Sequence, residues 1–203
     1  MIAEAVSRLV EGYVSPRASA RRMLDSDFGW DTIALLVILG YLISACFAIF
    51  VPIEQATTSL IAKHVWGVLN QVLGIALISA LAWQLGRWSG GTSTFQQMAL
   101  VLGWHQVVIA FLSPFLLGLV ARMQSTVASI EEQAARGETP PVPDVGGGVV
   151  LGGMIAAGYA LWLMASFIAE AHGFRSAMGV VGVMLGLPLA FAFLAAGLLG
   201  GAG

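Results

Sequence analysis

Charged residues are scarce in this sequence, and their scarcity argues against an ordinary soluble domain. Only 10% of the 203 residues are Asp, Glu, Lys or Arg, whereas soluble globular proteins carry about 25%. The 9 basic and 11 acidic side chains give a net charge of −2. Proteins that bind nucleic acid present a clustered basic face instead, so we expect no nucleic-acid partner.

Cysteine and histidine are also too few for the commonest kinds of site. The single cysteine, Cys46, excludes an internal disulfide, and its place in an apolar run predicts a buried structural thiol. The three histidines lie in separate segments without paired cysteines, so the sequence predicts no metal site. The Gly-x-Ser-x-Gly, Gly-x-x-x-x-Gly-Lys and His-Glu-x-x-His motifs are absent. We therefore expect a non-enzymatic protein with no catalytic residue and no cofactor.

Long apolar runs dominate the chain, which is 58% hydrophobic. Each run has the ~20 residues that a helix needs to cross a ~30 Å hydrocarbon core, and none alternates like the strands of a membrane barrel. The predicted fold class is an all-α, polytopic membrane bundle with five transmembrane helices. We expect an N-terminal segment at 1–30, a transmembrane domain at 31–203 with an outer loop at 121–148, and spans at 32–51, 65–85, 98–120, 149–169 and 177–199.

The basic residues predict the orientation of these spans. A cytoplasmic N-terminus leaves Lys63, Arg122 and Arg136 outside the cell and places six arginines inside, namely Arg8, Arg17, Arg21, Arg22, Arg87 and Arg175. Cytoplasmic loops carry an excess of Lys and Arg. The asymmetry therefore favours a cytoplasmic N-terminus and, with five spans, an external C-terminus.

The segment before the first span predicts short amphipathic helices at the inner membrane surface. Ser15 is a plausible N-cap, and Pro16 suits the first helical position. The arginines that follow, Arg17, Arg21 and Arg22, are candidate contacts for anionic lipids, each worth about 1 kcal/mol near such a surface. The alternative is that these arginines serve only to set the topology.

The third apolar run continues as an amphipathic helix beyond the membrane, and Pro114 predicts a kink within it. Gly137 is a natural stop, so the helix is expected to extend ~22 Å past the bilayer. Its apolar stripe either lies on the membrane surface or meets a partner, and Met123, Val127 and Ile130 are the candidate partner contacts. The whole stripe consists of Leu116, Val120, Met123, Val127, Ile130 and Ala134.

Polar residues inside the predicted spans are few, and they allow two interpretations. The candidates in the second and third spans are Asn70, Gln71, Ser79, His105 and Gln106. Ionisable groups within a membrane suggest a proton or solute path. The alternative is hydrogen bonding between helices, each contact being worth about 0.6 kcal/mol on average.

The stretch "SFIAEAHGFRSAMG" separates the last two runs and places Glu170, His172 and Arg175 close together. Gly173 suits a tight turn at the end of a helix. We interpret the stretch as a solvated cytoplasmic turn that also serves as a candidate docking point for a partner.

Several of these segments together resemble the Yip family, the Ypt/Rab-interacting membrane proteins and their prokaryotic relatives. The resemblance rests on "SPR" before the first span, on "TSTFQQMALVLGW" with Thr94, Phe95, Gln96 and Gln97, and on the "SP" pair with Pro114 that follows it. It also rests on "AEAHGFRSA" with His172, Gly173 and Ala177. The short N-terminal segment is similar to that of the prokaryotic branch, which implies an inner-membrane location.

The resemblance implies a non-enzymatic protein that organises membranes or partners. The leading functional hypothesis is a membrane scaffold or accessory subunit that contacts the lipid bilayer and associates with other membrane proteins or with itself. The alternative is a small transporter or channel-like protein that uses the polar residues of the second and third spans.

Overall fold

The protein is all-α, as predicted. The computed structural model describes residues 2–48, 60–136, 147–186 and 189, and this part of the chain contains helices and turns but no strand. The helices are α1 (Ile2–Val14), α2 (Pro16–Leu24), α3 (Trp30–Ala48), α4 (Leu60–Trp88), α5 (Phe95–Ala110), α6 (Ser113–Ala135), α7 (Gly147–His172) and α8 (Ala177–Gly186).

Three of these helices are long and apolar enough to cross a membrane. They cover Trp30–Ala48, His64–Trp88 and Val150–His172, close to the predicted spans at 32–51, 65–85 and 149–169. The exposed indoles of Trp66 and Trp88 support this assignment for α4. They lie about 33 Å apart along a helix, which matches the distance between the two aromatic belts of a bilayer.

The predicted third span at 98–120 is not one continuous helix. The chain forms α5 and α6 instead, and the pair is bent by 75° at the break. Pro114 has no N–H to donate to the Ala110 carbonyl, and its ring would clash with that carbonyl, so α5 ends at Ala110 and α6 begins at Ser113. The kink expected at Pro114 is therefore confirmed, although it breaks the helix completely.

The fifth predicted span is described only in its first part, as the apolar helix α8. The remainder of 177–199, apart from residue 189, lies outside the described residues, as do 49–51 of the first span and 137–146 of the predicted outer loop. The described part of the chain thus holds three candidate spans, or four if the bent pair counts as one. The total of five spans stays a prediction.

Helix α5 forms the centre of the molecule. It packs against α3, α4 and α7 and also touches α1 and α2. Its start is fixed by a capping box, in which the Thr94 side chain and the Gln97 side chain each bond the other's backbone N–H. Apolar residues surround the whole helix, as expected for one buried on all sides, and ten of its residues are buried: Met98, Ala99, Leu100, Val101, Leu102, Gly103, His105, Val107, Val108 and Ala110.

Small residues allow the helices to approach closely. A Cβ atom added to Gly40 on α3 would lie 3.0 Å from the backbone of Gln106 on α5, so the two backbones are in direct contact. Further along, the Ser113 hydroxyl donates a 3.0 Å hydrogen bond to the Ser44 hydroxyl. Cys46, on the same helix, was predicted to be buried, and that prediction was wrong because the residue is exposed.

Candidate docking site at the basic end of the bundle

Glu170 is the centre of a polar cluster that joins the N-terminal helices to α7. Its carboxylate accepts a 2.8 Å hydrogen bond from Arg17 Nε and a 2.7 Å hydrogen bond from Arg21 Nε. The side chain of Glu170 is only 8% exposed, while those of Arg17 and Arg21 are 39% and 69% exposed. One buried carboxylate thus binds two arginines of α2, and the ion pairs hold α2 on the end of α7.

The end of α7 explains why Glu170 and Arg17 meet. Gly173 adopts a φ of +72°, and the N–H groups of Gly173 and Phe174 bond the carbonyls of Glu170 and Ala169. This pattern is a Schellman motif with glycine in the left-handed position, and it confirms the predicted helix-ending turn. Arg17 also donates to the Phe174 and Arg175 carbonyls at 2.6 Å and 2.9 Å, so it binds both the turn and Glu170.

His172 lies in a buried slot between the ends of α4 and α5. Its Nε2 atom is 3.1 Å from the Ala82 carbonyl and 3.4 Å from the Ser93 hydroxyl. Gly86 and Gly91 place their backbones against the imidazole, where a Cβ atom would collide with the ring. His172 is only 2% exposed, so it packs the inside of this end of the bundle, whereas Arg175 points to the surface.

Further contacts join the two N-terminal helices to each other and to the bundle. Arg22 pairs with Glu11 at 3.0 Å. The Tyr13 hydroxyl donates to the Val108 carbonyl, and the Tyr159 hydroxyl donates to the Tyr13 carbonyl at 2.8 Å. Burial, together with the nearby Tyr159 phenol, raises the pKa of Tyr13 to about 12. All three arginines suggested as lipid contacts therefore have carboxylate partners within the protein.

Two of the five intramembrane polar residues bond each other, and the five do not form a continuous chain in the described part of the structure. Gln71 donates a 2.8 Å hydrogen bond to Gln106, and His105 Nε2 is 3.3 Å from the Ala160 carbonyl. Ser79 is fully buried, and its hydroxyl has no hydrogen-bond partner among the described residues. Asn70 lies on the exposed face of α4. These residues thus occupy separate positions on α4 and α5.

The predicted apolar stripe is present on α6. Helix α6 runs to Ala135, close to the expected stop. One side of the helix packs on α7, where Gly153 admits the Leu119 side chain. Met123 and Val127 are 56% and 52% exposed, whereas Ile130 is partly buried. The centre of the stripe is therefore open in the described part of the chain.

Comparison with models of protein families identifies the family of this sequence. The model of the Yip1 domain matches residues 12–199. The chain belongs to the Yip1 domain family. Neither curated proteins nor solved structures give a match to it. The Yip1 domain begins inside α1, so the cluster of Arg17, Arg21 and Glu170 lies wholly within it. The resemblance to the Yip family seen in the sequence is therefore confirmed. Together with the candidate membrane spans, the family match identifies an integral membrane protein.

Sequence reasoning missed the residues that complete this end of the Yip1 domain. Ser93, Gly86 and Gly91 surround His172, although they lie far from it in the chain. The Gly90–Gly91 pair carried a usable signal, because two glycines after a long apolar run indicate a helix end. Gly90 indeed has a φ of +84°. The side chain that fills the slot beside that turn comes from α7. No local sequence pattern encodes such a tertiary contact.

Proposed function

We propose that this Yip1 domain protein is a non-enzymatic membrane scaffold or accessory subunit, which associates with another membrane protein through α6. The observation that supports the proposal is the exposed stripe at Val120, Met123 and Val127. As the family resemblance implies, we place the protein in the inner membrane of a prokaryote.

The direction of α6 makes its stripe available to a partner. If α5 runs along the membrane normal, a helix bent by 75° from it lies closer to the membrane plane. The helix starts beside Ser44, near the end of α3 opposite to Trp30 and to the Arg17–Glu170 cluster. Helix α6 therefore extends across the far end of the bundle, where the subunits of a membrane complex can meet.

The composition of α6 suits a partner that covers only one side of the helix. Arg122, Glu132 and the C-cap residue Arg136 lie off the stripe and Glu131 borders it, and all four side chains are exposed. Charged groups of both signs are costly within the hydrocarbon core. A partner helix can cover the narrow stripe while leaving these charges in water, and burying Met123 and Val127 would contribute about 1.5–3 kcal/mol each.

Paired aspartate substitutions on α6 test the proposal. Val127→Asp places a charge on the stripe, whereas Ser129→Asp adds the same charge to an exposed position on the other side of the helix. We expect Val127→Asp to abolish association with the copurifying partner or second copy, measured by the mass of the complex in a mild detergent. Ser129→Asp should leave the complex intact. An unchanged complex in Val127→Asp would refute the proposed interface.

The transporter hypothesis has less support from the geometry. Gln71 and Gln106 bond each other, and His105 lies against the Ala160 carbonyl and the Phe167 ring. Paired groups of this kind favour a structural role, in which each hydrogen bond fixes two neighbouring helices.

A further inference from the structure

A groove beside α7 has the chemistry of an anion site. It lies between the junction of α1 and α2, the second half of α7 and the start of α8, and its volume is about 430 Å³. Its polar lining comprises Ser15, Arg17, Ser166, Arg175 and Ser176, and no acidic side chain lines it among the described residues. The groove is distinct from the α6 stripe and does not depend on it.

The charge around the groove is positive. Arg17 and Arg21 share the single carboxylate of Glu170, which leaves one positive charge uncompensated. Arg175 is exposed, and within the described part of the chain its guanidinium has no ion pair. Arginine is well suited to phosphate, because its planar group donates two parallel hydrogen bonds.

The floor of the groove holds a polar group without a partner. Ser166 is only 2% exposed and lines the groove, and its hydroxyl makes no hydrogen bond with the described residues. Two helices also begin here, α2 after Ser15 and α8 after Ser176. The Ser15 side chain makes no capping bond of its own. The Ser176 hydroxyl already accepts the Met178 N–H at the start of α8. The N-termini of helices favour anions, so the buried hydroxyl, the arginines and the start of α2 favour the same kind of ligand.

The apolar edge of the groove suggests the origin of the phosphate. Trp162 and Met178 line the same groove and are 38% and 68% exposed. The groove also lies at the end of the candidate span Val150–His172, which is the depth of the lipid headgroups. A free phosphate ion uses none of this apolar surface, whereas the glycerol and first methylenes of a phospholipid contact it.

We propose that this groove binds the phosphodiester of an anionic phospholipid, held by Arg175 and Ser166. The test is native mass spectrometry of the detergent-purified chain, titrated separately with short-chain phosphatidylglycerol and with inorganic phosphate. We expect one phosphatidylglycerol to be retained, and Arg175→Gln to weaken its binding about tenfold or more. Ser166→Ala should weaken it as well. The Arg175 carbonyl that binds Arg17 remains in Arg175→Gln, so the fold should be preserved.

The matched control is Arg122→Gln, which removes the same charge from an exposed arginine of α6. This variant should retain phosphatidylglycerol like the unchanged protein. Equal weakening in Arg122→Gln and Arg175→Gln would overturn the proposal, because it would show general electrostatic attraction. Retention of inorganic phosphate without phosphatidylglycerol would overturn the lipid assignment. Neither outcome depends on whether Val127→Asp disrupts the complex.

Discussion

At the scale of single residues, Glu170 joins parts of the chain that lie far apart in sequence. The sequence showed three ionisable residues near a turn but not their partners, because Arg17 and Glu170 are 153 positions apart. Glycine at the turn was predictable from the rules for helix ends. The ion pairs were not, since several carboxylates and arginines were available and only the packing of α2 on α7 selects among them.

Removing the carboxylate of Glu170 should loosen the N-terminal helices. Glu170→Gln leaves two arginines without their charged partner, and we expect a loss of about 1–2 kcal/mol, between the values for buried and exposed charged pairs. The melting midpoint in detergent should fall by about 2–8 °C. The matched variant Glu132→Gln removes an exposed i,i+4 pair with Arg136 and should leave the midpoint nearly unchanged. Equal midpoints for the two variants would contradict the role of Glu170.

The slot around His172 gives a second test at this scale. In Gly86→Ala the new methyl group would collide with the imidazole, and overpacking of this kind costs about 1–3 kcal/mol. Gly74 lies on the same helix with no atom near its Cβ direction, so Gly74→Ala should be neutral or slightly stabilising. Thermal unfolding of both variants compares them directly. A stable Gly86→Ala protein would show that His172 does not fill the slot.

At the scale of elements, the sequence predicted three helices well and misjudged one. The length of the apolar runs was enough to predict α3, α4 and α7. In lipid, a single run of this length can pair its backbone N–H and C=O groups only by forming a helix. The run through α5 and α6 passed the same criterion, yet the break at Pro114 turns the chain by 75°. Proline predicts a kink but not its size, which depends on the neighbours that receive the second helix, here α3 and α7.

The docking of α1 on α5 should depend on pH through Tyr13. Its pKa is raised from the ordinary value of 10 to about 12, so the folded protein favours the neutral phenol that donates to Val108. The contribution of this phenol to the free energy of unfolding is fully present below pH 10 and is lost as the pH rises through about 12. An ultraviolet titration of the protein should therefore show a transition near pH 12 that Tyr13→Phe removes. Titration of Tyr13 near pH 10 would contradict this docking.

At the scale of the whole molecule, the two ends of the bundle differ in the basic residues that they carry. Arg17, Arg21, Arg87 and Arg175 lie at the end where α4 and α7 finish, whereas α6 lies at the opposite end. The sequence allowed this grouping to be predicted, because alternate loops of a helical bundle lie on the same side. It did not reveal that the two N-terminal helices pack on the bundle through Tyr13 and Glu170, since such contacts are tertiary.

The positive-inside rule predicts that the arginine-rich end faces the cytoplasm. In a Cys46→Ser background, Ala5→Cys should be protected from a membrane-impermeant thiol reagent applied outside. Ser129→Cys on α6 and Ala202→Cys near the C-terminus should both react. Reaction of Ala5→Cys with the external reagent, or protection of Ser129→Cys, would reverse the proposed orientation.

The most direct test of the scaffold function is photo-crosslinking from α6 in intact membranes. A photoreactive amino acid at Val127 lies at the centre of the exposed stripe, and the same residue at Ser129 lies on the other side of the helix. We predict a discrete protein adduct of fixed mass from position 127 and none from position 129. Only lipid adducts from position 127, or the same products from both positions, would contradict association through α6.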